Sequence, residues 1–308
     1  MRKRITLMII ILALFMLFGG LSFALEMYFD YLWFAELGKS IVFTTSLYAK
    51  GMLASGLLLG SFLFLYINFL YANKGPGLIQ IGIPTPTGQI TAYTVSEIMV
   101  QRLSGVISAV VGLLIAAAGA GNWEAVWRWM HRVPFGITDP VFSRDVSFYF
   151  FTLPFFNELV RLSLLLSFVA VIGVVVLYYF KGTLTWRKMR DAVRGNRTGV
   201  HISVLGALIF ALLAVSAYLD RFDILFGNHE IFEGGASYAD LHARLPMLSL
   251  LVVAAGIGAV LWIINAFAAG NRAGVFAVVL YFLVMFIGNV YPALIQKFVV
   301  SPNEFGRE

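Results

Sequence analysis

Apolar residues in this chain come in long unbroken runs separated by short polar stretches. Seven runs reach about 20 residues, the length a helix needs to cross a hydrocarbon core about 30 Å thick. They cover residues 5–25, 52–71, 103–121, 159–180, 200–219, 247–268 and 275–294. Lipid offers no partner to an unpaired backbone group, so runs of this kind predict helices. The strands of a membrane barrel would be short and alternating, and these runs are continuous. The predicted fold is all-α: a polytopic membrane helix bundle of about seven transmembrane helices plus short interfacial helices.

The first run has a second reading. Arg2-Lys3-Arg4 precedes it and Ser22-Phe23-Ala24 closes it, which is the layout of a cleavable signal peptide. Its apolar part is longer than the usual 7–15 residues, so a retained helix is expected.

Composition agrees with the runs. The 308 residues are 60% apolar and only 12% charged. Mean hydropathy is +0.87. Soluble domains carry roughly 25% charged residues, so a soluble enzyme is excluded. There is no cysteine, which removes disulfides, thiolate metal sites and a Cys nucleophile.

The net charge of +6 takes its meaning from where the charges lie. With the N-terminus inside, the inner segments hold 12 of the 22 Lys and Arg residues but only Glu97 and Asp191 among the acids. The loop 181–198 alone carries six basic residues. Basic residues near span ends mark the cytoplasmic side, so the predicted topology is N-in, C-out in a plasma membrane. The same charge contacts lipid headgroups, and no nucleic-acid partner is expected.

The outer connections are rich in aromatics. Trp33 lies among Tyr28, Phe29, Tyr31 and Phe34 after the first run. Trp123, Val126, Trp127 and Met130 have the spacing of one face of a short interfacial helix. The aromatic segment 142–156, containing Phe148 and Tyr149, reads as a second interfacial helix or a shallow re-entrant piece. Trp33, Trp123, Trp127, Phe148 and Tyr149 are the expected interfacial anchors. On the inner side, Gln80-Ile81-Gly82-Ile83 lies between Gly and Pro breakers as a short extended piece.

Candidate chemistry is sparse. His229, Glu230, Glu233, Asp240 and His242 in the loop 220–245 are metal-ligand types without a recognised spacing, and a solvated acidic loop is the plainer reading. Within the spans, Asn68, Asn265 and Asn289 are the strong polar groups. They read as interhelical hydrogen bonds, or alternatively as a substrate or ion path. Span serines have no His or carboxylate at depth, which argues against an intramembrane hydrolase. No cofactor is expected.

Four stretches carry a family resemblance. They are Tyr31-Leu32-Trp33-Phe34-Ala35-Glu36-Leu37-Gly38, then Asp139-Pro140-Val141-Phe142-Ser143-Arg144-Asp145-Val146-Ser147-Phe148-Tyr149-Phe150-Phe151. Further on come Ala236-Ser237-Tyr238-Ala239-Asp240-Leu241-His242-Ala243-Arg244-Leu245-Pro246 and Tyr291-Pro292-Ala293-Leu294-Ile295-Gln296-Lys297-Phe298-Val299-Val300-Ser301-Pro302-Asn303-Glu304. In this order the chain resembles the UPF0182 family of uncharacterised bacterial and archaeal-type membrane proteins. The resemblance implies about seven spans followed by a large soluble domain outside the cytoplasm. It thereby implies that 1–298 is the membrane half and that 299–308 begins a truncated or absent extracytoplasmic region. It assigns no reaction.

Three functions are compatible with these features. The first is a non-enzymatic membrane anchor and scaffold whose partners are the lipid bilayer and an extracytoplasmic soluble domain or protein. The second is a transporter or lipid-handling component using Asn68, Asn265 and Asn289. The third is an outer metal-assisted enzyme using His229 and His242.

Overall fold

The computed structural model describes residues 2–75, 77–84, 90–184, 197–226, 235–267, 272–300 and 302, with side chains from residue 18 onward except at 81, 83, 84 and 90–92. Eight helices account for most of it: α1 (Arg2–Glu36), α2 (Ser40–Asn73), α3 (Glu97–Ala120), α4 (Trp123–Met130), α5 (Leu153–Phe180), α6 (Arg197–Asp223), α7 (Leu245–Phe267) and α8 (Arg272–Ile295). Single π-helical turns extend α5 backward to Phe148, α7 backward to Asp240 and α8 forward to Val300. Among the described residues six helices are long and apolar enough to cross a membrane: α2, α3 and extended α5, α6, α7 and α8. Each carries one of the last six predicted runs. The first run falls within α1, where most side chains lie outside the described residues.

The connections are more helical than the sequence pattern suggests. The outer connection 26–49, with its aromatics around Trp33, is a helical hairpin with a three-residue turn. α1 ends in a Schellman motif, in which Gly38 N donates to Ala35 O at 3.0 Å and Lys39 N to Phe34 O at 2.8 Å. Gly38 supplies the left-handed residue, at φ +66°. The segment 142–156 is neither a separate interfacial helix nor a re-entrant piece. Its second half continues into α5, because Pro154 sits in the first turn, where a missing N–H costs nothing. On the opposite side β1 (Gln80–Pro84) pairs antiparallel with β2 (Ile90–Thr94), with Gln80 opposite Thr94. Ser96 then caps α3, its hydroxyl accepting from Met99 N at 3.3 Å.

The helices pack in the order α3, α2, α5, α6, α7, α8, while α1 lies against α2. α6 is the most enclosed, with 44% of its apolar window buried against 11% for α8. One core cluster joins Leu65, Phe69, Ala170, Val174, Tyr178 and Leu205 of α2, α5 and α6. A second, at the other end of α5 and α6, joins Tyr149, Leu153, Val160, Leu219 and Phe222. Close crossings rest on glycine. A Cβ on Gly173 would lie 2.4 Å from the Phe69 ring, and one on Gly258 would lie 2.2 Å from Phe210.

Candidate functional site: an aspartate-locked aromatic face

At the end of the bundle where α3 stops and α5 starts, the chain makes an ordered platform from residues 123–152. α4 is held by Trp129, which stacks on Phe155 at 4.3 Å between ring centroids. Trp129 lies off the face that the spacing singled out. Trp127 and Met130 of that face stay exposed, while Trp123 is half-buried with the Lys50 ammonium 5.8 Å from its ring centre. The apolar stripe is therefore split, with Trp123 and Val126 half-buried and Trp127 and Met130 exposed.

Two carboxylates lock the loop that follows. Asp145 accepts from Phe135 N at 3.1 Å, Gly136 N at 2.8 Å and Ser147 N at 2.8 Å. Asp139 accepts from Val141 N, Phe142 N and Arg144 N and from the Tyr149 hydroxyl at 2.8 Å. Backbone bonds from Asp139 N to Arg144 O and from Val146 N to Ile137 O close the same loop. Ser143 takes a positive φ of 55° to allow the tight return. Hydrogen bonds from the Ser147 side chain and from backbone N–H groups favour the charged form of Asp145 and hold its carboxyl down at about 2. For Asp139 burial pushes upward, but the bonds from Phe142, Arg144, Tyr149 and Val141 prevail and keep it below the usual value.

The lock fixes which side chains face outward. Phe142 and Phe148 pack on Phe222 at 4.8 Å and 4.9 Å, and Tyr149 is buried. Met130, Val133, Phe135, Ile137 and Phe150 remain exposed beyond the end of α3. Trp33, exposed at the end of α1, stands edge-on to Phe34. The five expected anchors therefore divide between exposed Trp33 and Trp127, half-buried Trp123 and Phe148, and buried Tyr149.

Of the metal-ligand types, His229, Glu230 and Glu233 lie outside the described residues. Asp240 is buried and accepts from the Ser237 N–H and hydroxyl, both at 3.1 Å, with Arg244 at 3.6 Å. His242 stacks on Tyr238 at 4.1 Å. Among the described residues no group of three or more His, Asp or Glu is placed to hold a metal ion.

The three asparagines do not meet. Asn265 is buried between helices, donating to the Ser203 hydroxyl at 3.0 Å and accepting from Gly274 N at 3.3 Å. It thereby caps the first turn of α8 from α7. Asn289 donates to Met285 O on its own helix. Asn68 donates to Phe64 O at 2.7 Å, and its carbonyl oxygen meets His201 Nε2 at 2.9 Å. A carbonyl can only accept, so Nε2 carries the proton and Nδ1 accepts from the Tyr178 hydroxyl at 3.1 Å. This Asn68–His201–Tyr178 chain ties α2, α6 and α5 together. Beside it the Lys181 ammonium donates to Asn73 O and to Gly75 O at 2.6 Å, closing the end of α2. Sequence reasoning separated these groups. What could have joined them is depth: Asn68, Tyr178 and His201 each lie within about a turn of the same end of their helices.

The family described as uncharacterised protein family UPF0182 matches residues 6–308. A UPF0182 protein of Trichlorobacter lovleyi is 35% identical over 307 residues, covering 97% of this chain and 33% of that protein. One from Geobacter sp. strain M21 is 34% identical over 304 residues, covering 97% and 33%. One from Saccharopolyspora erythraea is 31% identical over 311 residues, covering 100% and 32%. The chain thus spans about a third of the length of the curated relatives it matches. No solved structure matches it.

Proposed function

The chain belongs to the UPF0182 family, and from that premise we propose that it is a membrane anchor and scaffold, oriented N-in and C-out. Its aspartate-locked face presents to a soluble domain or protein partner outside the cytoplasm. The observation that carries this reading is the locked loop. Seven hydrogen bonds to two side chains, Asp139 and Asp145, hold a short segment whose exposed residues include Phe135, Ile137 and Phe150. Preorganised apolar side chains lose little entropy on binding, which suits a docking surface. The relatives, about three times as long, supply chain that such a face would receive. A transport path has less support, because Asn68 and Asn265 spend their polar groups on neighbouring helices.

The test places a photo-crosslinking residue at Ile137 and co-expresses the chain with the remaining two-thirds of the Trichlorobacter relative. A crosslinked product that disappears with Phe135→Asp is expected. Absence of any product with the parent sequence would overturn the reading.

A further inference from the structure

The hairpin of α1 and α2 outruns the rest of the bundle. From Glu97 to Gly119, α3 rises about 33 Å at about 1.5 Å per residue, close to the roughly 30 Å of a hydrocarbon core. A Cβ on Gly119 would lie 2.4 Å from Leu57, so Leu57 of α2 stands level with the outer end of α3. The ion pairs Arg128–Glu124 and Arg161–Glu158 lie near that level and mark the edge of the apolar zone. α2 nevertheless runs on from Leu57 back to Ser40, about 26 Å further along its axis. Headgroups occupy only roughly 5–8 Å on each side of the hydrocarbon. With α3 spanning the membrane, the tip of the hairpin stands beyond lipid, in water.

What the tip carries does not suit water. Phe29, Trp33 and Leu37 recur at i, i+4 and i+8 along α1, and all three are exposed. Ile41, on α2, is 73% exposed. Between the arms, Tyr31 and Phe34 meet Phe43, each ring pair at 5.9 Å, which leaves the outward stripe uncovered. The side chains of Glu26, Asp30 and Glu36 on α1 make no ion pair or hydrogen bond among the described residues. Glu26 and Asp30 stand at i, i+4, where like charges destabilise a helix. An exposed apolar stripe bordered by uncompensated carboxylates marks an interaction surface.

We propose that this tip is a second arm of the docking surface and takes an apolar protein patch bordered by Lys or Arg. The occupant is the extracytoplasmic region that the relatives carry in addition to the part matched here. Those relatives are about three times as long. α8, whose Gly288 faces Met247 at the start of α7, runs out with its π-helical turn to Val300 at the same end of the bundle as the tip. The unpaired acids attract a basic border and repel anionic headgroups. Trp33, about 20 Å beyond the level of Gly119 by the rise of the helix, fills a pocket on that region instead of sitting among headgroups. The inference rests on the extracytoplasmic partner of the proposed function, but not on the locked loop as its seat.

The test places a photo-crosslinking residue at Ile41 in the full chain and co-expresses the remaining two-thirds of the Trichlorobacter relative. A crosslinked heterodimer is expected. Trp33→Ala should lower its yield about tenfold, the scale of an interface anchor. Asp30→Lys should lower it about threefold. In both variants the product from a crosslinker at Ile137 should persist, which reports that the bundle is folded. Adducts at Ile41 confined to lipid or to a second copy of this chain overturn the proposal, as does an unchanged yield in Trp33→Ala. A product from Ile137 with none from Ile41 overturns the second arm and leaves the locked loop standing. A product from Ile41 with none from Ile137 does the reverse, and silence at both sites overturns both.

Discussion

Asp145 illustrates how much one side chain can organise. It is solvent-accessible, yet it gathers three backbone N–H groups from both ends of a tight loop. Because those bonds hold the folded-state carboxyl at about 2 against a usual 3.8, their contribution is complete above the usual value and is lost as the pH falls through about 2. Pepsin should therefore begin to cut between residues 131 and 147 as the pH drops from about 4 to about 2. In Asp145→Asn, where an amide replaces the acceptor oxygen pair, cutting should already be present at the upper end of that range. An unchanged pH profile in the variant would show that the loop is held by other contacts. The stretch from Asp139 to Phe151 was legible as distinctive in the sequence, but not as a lock. Carboxylate-to-backbone bonds depend on loop φ/ψ, which hydrophobic period does not encode.

At the level of elements, glycine sets how closely α2 and α5 approach. Gly173→Ala places a methyl 2.4 Å from a Phe69 ring carbon, so the helices must separate or the ring must leave its rotamer. Overpacking of this kind costs about 1–3 kcal/mol. A matching loss of thermal stability is expected in detergent, with partial recovery in Gly173→Ala combined with Phe69→Leu. No loss in the single variant would mean that the crossing yields without cost. Six of the seven apolar runs correspond to described helices because length and continuity carry that signal strongly. Helix ends were less legible. α2 begins at Ser40 rather than near residue 52, and within it Thr44 and Ser46 satisfy their hydroxyls on carbonyls three or four residues earlier. The aromatic run before α5 read as a separate piece because Pro154 marks a break or a first turn equally well.

The whole molecule exposes far more surface than a compact soluble chain of its mass. Its accessible area is 20030 Å², against about 12,800 Å² from the scaling for folded soluble monomers. Much of the excess is Leu, Ile, Val and Phe along the spans, for example Leu113, Ile172, Val253 and Phe286. In water this surface would drive aggregation, whereas in lipid it is the solvent-facing side. The absence of native cysteine makes sidedness directly measurable. With an impermeant maleimide on intact cells, Ile137→Cys should label and Tyr93→Cys should label only after permeabilisation. The reverse pattern would invert the topology. The charge distribution along the chain is what predicts this orientation. What it could not supply were contacts such as Asn68 to His201, separated by 133 positions.

The packing order bears on how the chain assembles during synthesis. α3 lies on α2, α6 on α5, α7 on α6 and α8 on α7, so nearly every helix docks on the one made just before it. Contacts of this kind close small loops and form quickly as successive segments leave the ribosome. The exception is the seam between α2 and α5, which must wait while α3, α4 and the locked loop are made. Polar bonds join these distant helices: Lys181 of α5 reaches across the end of α2, and Asn68 of α2 meets His201 of α6, which meets Tyr178 of α5. Directional bonds among α2, α5 and α6 thus join a helix made early to helices made only after α3, α4 and the locked loop.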